Sequence, residues 1–220
     1  MPRLLKEIVW LIRKDLLLEW RQRYALNGLL LYVSATIMVV YMSVLQLKPA
    51  TWMAMLWIIL LFVSVNAIAK SFLQESAARQ LYYYTLVQAE AVILSKILYN
   101  TVLLLVISLL AVLAYSIVLG NPVQHKGLFF WAIVLGAVSF SNTFTLVASI
   151  AAKAGSNQSM LMPILSFPII IPIIALLLSI STASITGKDS NFNNNLQVLL
   201  TINIILPALS YILFPYLWRE

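Results

Sequence analysis

Six stretches of this chain carry no charged side chain: residues 24–47, 49–69, 97–125, 127–152, 154–187 and 190–218, each at least 21 residues long. A hydrocarbon core of ~30 Å takes roughly 20 helical residues to cross. Strands need about half that length and alternate in polarity, which these blocks do not. With 62 % of its residues hydrophobic and 10 % charged, the chain falls well short of the ~25 % charge of a soluble domain. The expectation is an all-α membrane protein with six transmembrane helices.

The distribution of lysine and arginine sets the orientation. Six spans place Arg3, Lys6, Arg13, Lys14, Arg21, Arg23, Lys70, Arg79, Lys96, Lys153 and Arg219 on one side, and only Lys48, Lys126 and Lys188 on the other. Eleven against three puts both termini in the cytoplasm by the positive-inside rule. The net charge of +7 is then a topology signal and an affinity for anionic membrane lipids, not a nucleic-acid footprint.

The chain divides into an interfacial elbow helix, residues 1–25, and a six-span domain, residues 26–220, with a cytoplasmic coupling segment at 70–96. The first 25 residues are too charged to cross a bilayer and lack the apolar core and cleavage site of a signal peptide. On a helical wheel Leu4, Ile8, Ile12 and Leu16 line one side, opposite Arg3, Lys6, Glu7, Lys14 and Arg21, so this helix is expected along the cytoplasmic leaflet. Asp15 and Glu19 fall in the middle of the apolar face. Either they meet another element, with Arg23 available to Glu19 at i+4, or the helix turns near Lys14 and leaves both in water. In the coupling segment Leu73, Ala77, Leu81 and Tyr84 share one helical face, and Glu75, Arg79 and Tyr82 another. That pattern suits either an ordinary surface helix or a handle for a cytoplasmic partner.

The spans differ in character. Trp52 sits where a lipid-interface anchor is expected, at the outer end of the second span. The fourth holds Ser139, Ser141, Asn142, Thr143 and Thr145, groups that bond to neighbouring helices or line a polar path. The fifth contains Pro163, Pro168 and Pro172. The last two must bend or interrupt it, giving either a movable, pore-facing or dimer-facing helix or a static kink. A polar outer loop is expected over 182–195 before the sixth span.

Several chemistries are missing. No charged residue lies inside any expected span, which disfavours a proton- or ion-coupled transporter. No phosphate-cradling Gly-rich loop is present, so the chain offers no nucleotide site. Cysteine is absent, and no catalytic or metal-binding constellation appears. The lone histidine, His125, stands in an outer turn, where it is either a haem ligand or plain polar surface. An energy-dependent membrane machine built this way must borrow its ATPase.

Three separated segments carry a family resemblance: RKDLLLEWRQRYALNGLLLYV from Arg13 to Val33, the cytoplasmic segment with Glu75 and the terminal Lys96, and FPIIIPIIA from Phe167 to Ala175. In these the chain resembles the CcmB family, permeases of bacterial cytochrome c maturation. The resemblance implies an ABC-2-type exporter permease fold with an amphipathic N-terminal elbow. It implies a homodimer in the bacterial inner membrane, bound to two copies of a cytoplasmic ATP-binding subunit and to haem-handling membrane subunits. Haem is then a handled substrate rather than a bound cofactor, ATP is hydrolysed on the partner, and hydrolysis serves release of a haem-loaded chaperone. On this reading Glu75, Arg79, Leu81 and Tyr82 dock the ATPase. Asp15, Glu19 and Arg23 belong to the elbow, and Pro168 and Pro172 to a mobile span. The residues leave open a non-transporting scaffold of the haem-handling assembly, and a permease for another substrate such as lipid or polysaccharide.

Overall fold

The structure, a computed structural model, describes residues 2–22, 24–43, 47–73, 87–152, 158–187 and 192–219. Among these, seven helices and no strand are found: α1 (Pro2–Gln22), α2 (Tyr24–Ser43), α3 (Pro49–Leu73), α4 (Ala89–Leu119), α5 (Lys126–Ala151), α6 (Gln158–Thr186) and α7 (Phe192–Arg219). Six of them, α2 to α7, are long and apolar enough to cross a membrane. The chain is a multi-pass all-α membrane protein.

Local sequence sets the helix ends. Pro2 and Pro49 open α1 and α3, where a missing N–H costs nothing and φ is already helical. After α4, Gly120 takes φ 75°, and the Asn121 Oδ1 accepts the Val123 N–H at 2.9 Å. This side-chain turn, with Pro122 inside it, stops the helix. Helix α6 outlasts the expected span. The Ser- and Thr-rich stretch read as the start of the outer loop stays helical to Thr186, in part because the Thr182 hydroxyl bonds back to the Ser179 carbonyl at 2.8 Å and needs no water there. The Asn195 side-chain amide then donates to the Ser179 hydroxyl at 2.7 Å, tying α7 to α6.

Helix α5 is the centre of the bundle. In its apolar window 78 % of residues are buried, against 17 % for α2, and it packs on α3, α4, α6 and α7. Gly136 explains one close approach: a Cβ there would collide with the Trp57 ring. Trp57 packs edge-on against Phe140 with centroids 6.0 Å apart and donates its indole N–H to the Ser181 hydroxyl at 3.0 Å. One side chain thus joins α3, α5 and α6.

Trp52 departs from expectation. It lies at the end of α3 away from Lys70, but only 1 % of it is exposed. Its indole N–H donates to the Gly120 carbonyl at 3.0 Å, and its ring meets Tyr115 at 4.9 Å. The ring caps the bundle core instead of facing lipid headgroups, because the turn after α4 offers its N–H a carbonyl and Tyr115 offers its face a ring.

Helix α6 is continuous through its prolines, and Pro163, Pro168 and Pro172 all lie on its exposed side. Proline has no N–H, so the Ile164 and Pro168 carbonyls lose their intrahelical donors at positions 168 and 172.

Candidate functional site at the charged end of the bundle

Helix α4 has 31 residues, about 46 Å at 1.5 Å per residue. That exceeds a ~30 Å hydrocarbon core and matches the ~40–45 Å that includes both headgroup zones. It begins at Ala89, eight residues before the start expected at Ile97, and so carries Glu90 and Lys96 within the helix. Helix α1 lies along this first third. Ile8 and Leu11 pack with Ala89, Ala91, Val92, Ile93, Ile97 and Phe214 in a small apolar cluster.

All three acids of α1 turn towards α4. The Glu7 Oε2 accepts the backbone N–H of Gln88 at 3.1 Å, in the residue before α4. No side chain of Gln88 itself caps that helix, so an anion from α1 serves its positive end. Asp15 is buried, 6 % exposed, with Oδ1 3.0 Å from the Lys14 Nζ and Oδ2 3.2 Å from the Lys96 Nζ. Lys96, 5 % exposed, also donates to the Ser71 carbonyl at 3.3 Å in the last turn of α3. The Tyr99 hydroxyl donates to the Glu19 Oε2 at 3.2 Å.

The order of these contacts shows how the helices run. From Glu7 to Glu19 is twelve residues, about 18 Å, and from Gln88 to Tyr99 eleven, about 16 Å. The two helices therefore run side by side in one direction. A buried ion pair is weak evidence for stability but strong evidence for a fixed register, since breaking it strands a charge.

This end also holds the ends of the segment between α3 and α4. Lys70 lies in the last turn of α3, and a Cβ at Gly28 of α2 would come within 3.3 Å of its Nζ. Lys96 joins α1, α3 and α4, so the helices that flank residues 74–86 are tied to α1 and to each other. Glu75, Arg79, Leu81 and Tyr82 lie outside the described residues, as does Arg23. Pro168 and Pro172 are exposed on α6, which supplies none of the hydrogen bonds or ion pairs just described at this end of the bundle.

One turn deeper is a polar layer. The Asn100 amide donates to the Thr145 hydroxyl at 2.9 Å, the Thr101 hydroxyl to Ser141 at 2.9 Å, and the Asn142 amide to the Asn203 carbonyl at 3.3 Å. Ser141, Asn142 and Thr145 thus bond across to α4 and α7, whereas the Ser139 and Thr143 hydroxyls donate to carbonyls of α5 itself, Leu135 and Ser139. His125, at the far end, is exposed, and its backbone N–H donates to the Ser184 carbonyl at 2.9 Å. Among the described residues no cluster of three or more metal-ligating His, Cys, Asp or Glu side chains occurs.

Sequence reasoning identified Asp15 and Glu19 as out of place but missed Lys96, Tyr99 and Gln88 as their counterparts on α4, and Glu7 as a third member. A signal was present. Acids four apart at 15 and 19 match partners three apart at 96 and 99, one helical turn in each case.

Comparison with curated proteins and with solved structures gave no match for this chain. A family described as CcmB protein matches residues 6–216, from α1 to the last turns of α7. The chain therefore belongs to the CcmB family, membrane permeases of haem export in cytochrome c maturation that work within an ABC-type complex with an ATP-binding partner.

Proposed function

We propose that this chain is the transmembrane subunit through which ATP hydrolysis on a separate cytoplasmic protein drives a haem-delivery step in cytochrome c maturation, ending in release of a haem-loaded chaperone. Two copies pair in the bacterial inner membrane with both termini in the cytoplasm. Each takes one ATP-binding subunit on the segment between α3 and α4, through Glu75, Arg79, Leu81 and Tyr82. Haem is the handled substrate, and haem-handling membrane subunits complete the assembly. Pro168 and Pro172 belong to the span that moves.

The observation that supports this reading best is the Lys96 junction. Its Nζ lies 3.2 Å from Asp15 of α1 and 3.3 Å from the Ser71 carbonyl of α3. A push on the segment between α3 and α4 then reaches three helices at once rather than bending a loose loop, which is what rigid-body coupling of two states requires. The test is the Glu75→Ala, Arg79→Ala double variant. It should lower co-purification of the ATP-binding subunit while the chain itself still reaches the membrane. An undiminished complex with full coupled activity counts against docking at this segment.

A further inference from the structure

The three acids of α1 are all spent on α4, and this sorts the helix's charges. Among the described residues, the exposed side of this helix carries Lys6, Trp10, Arg13, Leu17, Trp20 and Arg21 and no acid. On this outer face lies an open groove of about 570 Å³ lined by Trp10, Arg13, Lys14, Leu17, Leu18 and Arg21. Arg13 holds its guanidinium 5.9 Å from the Trp10 ring centroid, which keeps the cation beside an aromatic floor. Lys14 shares its charge with Asp15, so Arg13 and Arg21 dominate the potential there. They are eight residues apart, about 12 Å along the helix, with Leu17 between them.

We propose that this groove is a binding site for an anionic phospholipid. The occupant must be negative, because every charge among the described residues of the lining is positive. It must also carry apolar surface, because Trp10 (67 % exposed), Leu17 (60 %) and the neighbouring Trp20 (74 %) would otherwise stand in water. A phosphodiester headgroup between the two guanidinium groups, with acyl chains along Leu17 and Trp10, satisfies both demands, and the helix runs beside the part of α4 that exceeds the hydrocarbon thickness. A free phosphate meets only the first demand. The site does not depend on which cargo the chain moves.

The test is quenching of Trp10 fluorescence by brominated lipid, with the full chain in phosphatidylcholine vesicles doped with brominated phosphatidylglycerol or brominated phosphatidylcholine. Trp10→Phe identifies the Trp10 share of the signal. Half-maximal quenching of that share should need about five-fold less of the anionic lipid or lower still, and Arg13→Gln or Arg21→Gln should each remove about a five-fold preference. Lys6→Gln, exposed on the same helix but outside the groove, should leave the preference in place. Equal quenching by the two lipids overturns the proposal, as does a loss with Lys6→Gln equal to that with the arginine variants, which marks diffuse attraction to the surface. Arginine variants that keep the lipid preference but lose the ATP-binding subunit overturn it too, and assign the groove to protein.

Discussion

Lys96 reads in the sequence as a boundary marker, the cation at which a span emerges from the membrane. In the structure it is a buried partner of Asp15, and α1 keeps both from water. Removing one side of a buried pair costs about 3–5 kcal/mol, whereas removing both costs less, because no uncompensated charge remains. Asp15→Asn and Lys96→Met should each lower the unfolding temperature of the detergent-solubilised protein. The double variant should recover part of the loss, with a coupling of about 0.5–3 kcal/mol. Additive losses would mean that the two side chains do not meet. Gly136 makes a second test at this scale. Gly136→Ala drives a methyl group into the Trp57 ring and should cost about 1–3 kcal/mol by overpacking, with relief when Trp57→Phe is added. Neither relation was legible beforehand: a wheel shows that an acid is misplaced on its own helix but not which distant residue answers it.

For the helices, the sequence was a good guide to number and a poorer guide to ends. The six uncharged windows correspond one to one with α2 to α7, because bilayer thickness imposes a minimum length that composition reveals. The ends moved where a polar residue found protein instead of water: α4 starts before Glu90 and Lys96 because α1 covers its first turns, and α6 continues through Ser and Thr that bond to their own helix. Prolines on the exposed side of α6 were visible in the sequence as a pattern but not as a face. Pro168→Ala with Pro172→Ala restores two N–H donors to that helix. The pair should raise thermal stability and, if α6 is the moving span, slow haem delivery in cells, read as the yield of mature c-type cytochrome. Unchanged delivery alongside a raised unfolding temperature would reduce the prolines to packing.

The whole molecule is a bundle built around α5, with its charged junction at one end. That α5 is central follows in retrospect from its run of Ser139, Ser141, Asn142, Thr143 and Thr145, all buried, since polar groups at membrane depth need protein neighbours on that side. No periodicity in the sequence specified which helices those would be. Orientation rests on charge alone and can be checked directly, because the chain has no cysteine and single replacements label without background. Lys6→Cys should react with an impermeant maleimide only after the membrane is opened, and Lys126→Cys in intact cells. The reverse pattern would put the α3–α4 segment out of reach of any cytoplasmic ATPase.

Trp57 nails three helices together at one point, through a ring seated on Gly136 and an indole N–H on Ser181, while α2 is gripped along only one edge. Under the proposed coupling, work delivered at the Lys96 end would meet a joint at which none of the three helices can slide without breaking the Trp57 contacts. If α6 is the span that moves, as proposed, it must carry α3 and α5 with it near Ser181, and only its proline-bearing part, nine residues or more before that joint, is left to bend by itself.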